Sequence, residues 1–197
     1  MFSENEIAAM IEDEDILTQT RRLKKEFLKK EAPMMEIIDH DFFSLIMLTP
    51  SVSVALANGT ISLFEELSLN KKARRFSKGG YFLKTDPVIH AMKFLIKDFE
   101  YWEDKFYQVI LLTIERMFGL KNMPASQEEH DFIHLIMLSP YILIRSLPTF
   151  FLPEDEEITN IRSISQLEYD KVLEIGTKLG LDQLPLYQEF VKTFEIK

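Results

Sequence analysis

The chain has 197 residues, 46% of them hydrophobic and 28% charged, with 23 Lys and Arg against 32 Asp and Glu, a net charge of −9 and no cysteine. A chain of this size buries a core without metals or disulfides, so one compact helical domain over 1–197 is expected. The missing cysteines exclude a disulfide framework, a thiolate nucleophile and a zinc–cysteine site, and fit a cytoplasmic location; the acidic balance argues against nucleic-acid and anionic-membrane binding, which rest on clustered Lys and Arg.

The first fifteen residues carry Glu4, Glu6, Glu12, Asp13, Glu14 and Asp15 where a signal peptide needs basic and then apolar residues. A helix is predicted from about Glu4 to Lys30, with acids first and Arg21, Arg22, Lys24, Lys25, Lys29 and Lys30 last, the order that complements the helix dipole. Its apolar positions Ile7, Met10, Ile11, Leu17, Phe27 and Leu28 predict one buried face, and Ala32-Pro33 ends it. Phe42 to Phe64 is 23 residues without a charge, long enough to span a bilayer, but it holds seven Ser, Thr or Asn residues with Pro50 and Gly59. It reads as a pair of buried helices, the second starting at Thr49-Pro50.

Asp86-Pro87 is a strong helix start, and the pattern continues to Gly119 as a rod of about 50 Å. Val88, Met92, Leu95, Phe99, Trp102, Phe106 and Val109 alternate four- and three-residue steps along it, which makes it the expected central spine. Further starts are expected at Ser126 with Glu129, at Pro153 with its following acids, and at Ser165 with Glu168; the first and last fit the capping box. Gly180 ends the helix after Ser165, and Asp182 is expected to cap a final one to Phe194. No strand alternation is visible. The fold class is therefore all-α, a bundle of about seven or eight helices around a long central helix.

Residues 40–50 read HDFFSLIMLTP and residues 130–140 read HDFIHLIMLSP, eight of eleven positions identical at a spacing of ninety. A tandem duplication is expected, with halves of about 1–90 and 91–197 and pseudo-two-fold symmetry. Each block is too densely apolar for a surface helix and must be buried nearly all round. On that reading His40 and His130 are helix-start residues bonded to a neighbouring carboxylate or backbone group.

The alternative reading of these residues is a divalent metal site. His130 and His134 are four apart on a predicted helix, so both imidazoles leave one face, and the duplication could bring His40 toward them. One early histidine with a late His-x-x-x-His pair resembles, over three residues, the metal site of DinB-like four-helix bundles; on the metal reading the chain would be a metal-dependent hydrolase or transferase using His130 and His134 with His40 or a carboxylate. His90, near the start of the rod, reads as a partly exposed residue.

No phosphate-cradling glycine loop and no nucleophile–histidine–acid spacing is present. Glu100, Glu103 and Asp104 read as the wet face of the rod rather than as paired catalytic carboxylates. The basic stretch Lys71, Lys72, Arg74, Arg75 and Lys78 stands out in an acidic chain and is expected, in a loop leading to Tyr81 and Phe82, to hold an anion or an acidic partner, or to pair with acids such as Glu154 to Glu157. The function these features favour is a non-catalytic binding or scaffold protein, with a protein partner or homodimer, no nucleic acid, no membrane and no cofactor. A metal-binding bundle using His130 and His134 is the alternative, and a sensor of apolar ligands a third reading. An interaction protein should show an exposed apolar patch.

Overall fold

The computed structural model describes residues 2–79, 86–118, 151 and 161–197. These residues form eight α-helices and a small two-stranded sheet, an all-α architecture. The second copy of the repeat, with His130 and His134, and the expected helix starts at Ser126 and Pro153 lie outside the described residues.

The N-terminal helix expected as one element is two, α1 (Glu4–Ile11) and α2 (Glu14–Glu31). Ser3 and Glu6 cap α1 reciprocally, Glu6 N–H donating to Ser3 Oγ at 3.2 Å and Ser3 N–H to Glu6 Oε2 at 2.7 Å. The break falls at Asp13, which leaves the helical region and accepts the free N–H groups of Asp15 and Ile16 at 3.0 and 3.1 Å. Ile16, Thr20, Leu23 and Phe27 then form the buried side of α2.

The centre of the molecule is α3 (Asp39–Ala55), in which every residue from Asp41 to Ala55 is buried. It packs against α1, α2, α4, α5, α6 and α7, ranges for the last four being Leu63–Phe76, Pro87–Lys97, Phe99–Phe118 and Gln166–Lys178. Pro50 does not start a new helix but lies inside α3. Its hydroxyl neighbours are satisfied within the core: Ser44 Oγ donates to the His40 and Phe76 carbonyls at 3.0 and 2.8 Å, and Thr49 Oγ1 to Leu45 O at 3.4 Å. The expected 50 Å rod is likewise broken, at Asp98 (φ −128°, ψ 44°), into α5 and α6, and Lys30 of α2 binds the Asp98 carboxylate. Below the break the rings of Phe27, Phe42, Trp102 and Phe106 pack with centroids 5.0 to 5.8 Å apart around Phe27, and Trp102 Nε1 donates to Glu31 at 3.0 Å.

At the C-terminus, β1 (Arg162–Ile164) pairs in parallel with β2 (Phe194–Ile196), Ser163 opposite Glu195. Two three-residue strands carry no legible alternation, which is why the sequence predicts none. The crossover between them is α7, a 3₁₀ turn (Leu181–Gln183) and α8 (Pro185–Val191). Ser165 and Glu168 form the expected capping box of α7, and Gly180, at φ +67°, ends it in the left-handed region. Among the described residues no helix is long and apolar enough to cross a membrane.

Candidate docking surface

The basic stretch is not a loop. It is the second half of α4, a helix started by a capping box in which Glu65 N–H donates to Ser62 Oγ at 3.3 Å and Ser62 N–H to Glu65 Oε2 at 2.7 Å. The helical period sorts the stretch into two sides. Leu69, Lys72, Ala73 and Phe76 turn inward. Lys71, Arg74 and Arg75 turn outward, and Lys78, just past the helix, is exposed as well. Lys72 is therefore separated from the other four: it is 2% exposed, its Nζ donates to Ser51 Oγ at 2.6 Å, and burial holds its amine well below the ordinary lysine range.

The outward side has an apolar half that sequence reasoning missed. Leu63, Phe64 and Leu67 are 73%, 62% and 60% exposed in the first two turns. They continue into the cations along one seam, with Phe64, Leu67, Lys71 and Arg74 at steps of three and four and Lys78 just beyond the end of the helix. The legible signal was the Ser-x-x-Glu box at Ser62, which places these residues in a helix. Lys71, Arg74 and Lys78 have no ion-pair partner among the described residues, unlike Lys30, Arg116 and Lys178, which bind Asp98, Asp13 and Asp104 respectively.

The metal-site residues fall elsewhere. His40 lies in the first turn of α3 with both ring nitrogens engaged, Nδ1 at 3.3 Å from Asp41 Oδ1 and Nε2 at 3.4 Å from the Glu4 carbonyl oxygen. The Asp41 contact raises the imidazole pKa above the usual histidine value against the opposing effect of burial. Asp41 is itself fully buried and accepts the Lys78 N–H at 2.9 Å, so this pair ties α1 and the end of α4 to the start of α3. With Nε2 held by a carbonyl, the Asp41–His40 pair presents no ring nitrogen to a nucleophile. Among the described residues no group of three or more His, Cys, Asp or Glu side chains is arranged to hold a metal ion. His90 is exposed and lies beside Phe94, the ring centroids 5.3 Å apart and the planes tilted by 39°.

Glu100 and Glu103 line a cavity of about 400 Å³ with Ser53, Leu56, Phe99 and Lys171. Glu103 accepts from Ser53 Oγ at 2.9 Å and faces Lys171 and Lys178 of α7 at 3.7 and 3.9 Å. Lys178 also reaches Asp104 at 3.1 Å and Glu174 at 3.2 Å. Glu103 and Asp104 pin α7 to α6 through Lys171 and Lys178, and the Glu174 carboxyl is held below its usual range by these two lysines despite partial burial.

No family model matches the chain, and no curated protein or solved structure was found to be similar to it.

Proposed function

We propose that this chain is a non-catalytic interaction protein and that the outward side of α4 is the surface on which it docks a protein partner. The observation that carries this reading is the continuity, along one helix and the residue just past it, of three large exposed apolar side chains with three cations that no acid of the described residues neutralises. Leucine and phenylalanine exposed at neighbouring positions are a cost in water that burial against a second surface removes. Cations beside them supply orientation and on-rate toward an acidic surface. The net charge of −9 keeps the rest of the chain repulsive to nucleic acid, which leaves a protein as the partner that fits a local basic and apolar patch.

The test is site-specific photocrosslinking in the source cell, with a photoreactive phenylalanine in place of Leu67 and, as control, of Met34, which is 96% exposed outside this seam. A discrete adduct at position 67 that disappears when Lys71 and Arg74 are changed to glutamate supports the reading. An adduct containing a second copy of the chain identifies a homodimer face. Adducts identical at both positions, or none at 67, overturn it.

A further inference from the structure

We propose that the partner segment on α4 is an amphipathic helix running antiparallel to it, acidic over its first two turns and apolar over the following two. This rests on α4 being the docking surface and adds the chemistry, the secondary structure and the direction of what binds there.

The seam is divided into two parts along the axis of α4. Its apolar part, Leu63, Phe64 and Leu67, occupies the N-terminal turns of α4, and its cations, Lys71, Arg74 and Lys78, the C-terminal turns and the residue just beyond. Nothing is mixed: an occupant complementary to it carries acids at one end and apolar side chains at the other. The helical part of the seam, Phe64 to Arg74, spans about 15 Å, and Lys78 extends it beyond the helix end, so a helix of about fourteen residues covers it. An extended segment gains no backbone partners here, because the N–H and C=O groups of α4 already bond within the helix; a helical segment satisfies its own.

Direction follows from the helix dipoles. Acidic residues stabilise a helix in its first turns and destabilise it in its last. The acids of the occupant must lie over Lys71, Arg74 and Lys78, which are at the C-terminal end of α4, so the occupant's N-terminus lies there and the two helices run in opposite directions. The parallel arrangement would place the same acids in the occupant's last turns, against its own dipole, and align both dipoles unfavourably. The chain's own N-terminal helices begin acidic, but α1 buries Ile7 and Met10 and α2 buries Ile16, Leu23 and Phe27, so neither offers a second copy the apolar half.

The experiment uses the full chain and two synthetic helices of about sixteen residues, both acetylated and amidated: one with glutamates in its first two turns and leucines at steps of three and four thereafter, the other with the same residues in reverse order. Binding is read by fluorescence anisotropy at low and moderate salt, against the native chain, Lys71→Glu/Arg74→Glu and Phe64→Ser/Leu67→Ser, with circular dichroism confirming that each variant is folded. The acid-first helix is expected to bind about tenfold more tightly than its reverse, with affinity falling as salt rises and lost in both variants. Equal binding of the two peptides that both variants abolish overturns the antiparallel assignment and leaves α4 as the docking surface. Binding that neither variant weakens overturns that reading as well. Failure of both peptides, with charge-dependent binding to phosphatidylserine vesicles instead, overturns the helical partner in favour of a lipid surface; failure of every probe overturns the partner class, and the crosslink at position 67 then decides the surface independently.

Discussion

Gly176 in α7 has no room for a side chain. A Cβ there would lie 2.1 Å from the Tyr187 hydroxyl oxygen and 2.3 Å from the ring carbon that bears it. The ring cannot retreat without loss: Tyr187 is 2% exposed, its hydroxyl donates to Val172 O at 2.6 Å, and it packs against Phe151 and Phe190 at 5.9 and 6.1 Å. Gly176→Ala in an unobstructed helix would stabilise by up to about 1 kcal/mol. Here relief of the clash costs about 3 kcal/mol, the sum of a lost hydrogen bond and an overpacked or displaced ring. The net expectation is destabilisation by about 2 kcal/mol, read as a lower urea midpoint at unchanged slope. The decisive control is the same change made in Tyr187→Ala. With the ring gone the obstruction is gone, and Gly176→Ala should there become neutral or stabilising, a reversal of sign that a double-mutant cycle reports directly. A Gly176→Ala chain as stable as the native one would refute the reasoning, since it would mean that the ring and α7 separate at no cost.

Two further outcomes test how α4 and the start of α3 are held. The folded-state pKa of His40 is raised, so its contribution is complete below the ordinary histidine pKa of about 6.5 and is lost as pH rises through the higher folded value; stability should therefore fall over that interval, and His40→Gln should flatten the profile without changing its alkaline limit. An unchanged pH slope in His40→Gln would show that the imidazole is not the titrating group. Phe64→Ser/Leu67→Ser removes two side chains that are 62% and 60% exposed and should change unfolding free energy by no more than about 0.5 kcal/mol for each. A loss several times larger in thermal or urea melts would place these residues in the core and remove the docking surface.

Most of what was legible came from local chemistry. The capping box at Ser165, the start at Asp86-Pro87 and the glycine end at Gly180 are settled by groups within four residues of one another, and the structure has them where the spacing puts them. The all-round burial of α3 followed from a run too apolar for any exposed face. The two helix breaks were hidden by the apolar pattern, although Asp13 carries a local cap of its own. Apolar periodicity runs through Asp13 and through Asp98 because the chain keeps the same inward side on both sides of each break, while the residues that accompany the kinks come from far away: Arg116 of α6 at Asp13, and Lys30 of α2 at Asp98. Pro50 read as a helix start because proline favours the first turn, yet it lies inside α3, a helix buried on every side by its neighbours. The seam on α4 was obscured differently. Its apolar residues do not face the core, so the helix carries apolar residues on two sides and no single periodic stripe.

That second apolar side has a structural origin in α3. Because a helix buried on every side supplies contact surface to six neighbours, each neighbour needs to commit only one face to the core. α4 meets that need with Leu69, Ala73, Phe76 and the buried stem of Lys72. Leu63, Phe64 and Leu67 lie outside the face that α4 commits to the core, and replacing Phe64 and Leu67 by serine tests directly whether the fold needs them. Large apolar side chains turned away from that shared core, on a helix capped at Ser62 and followed by cations without an ion-pair partner among the described residues, are the physical rationale for the docking surface proposed on α4.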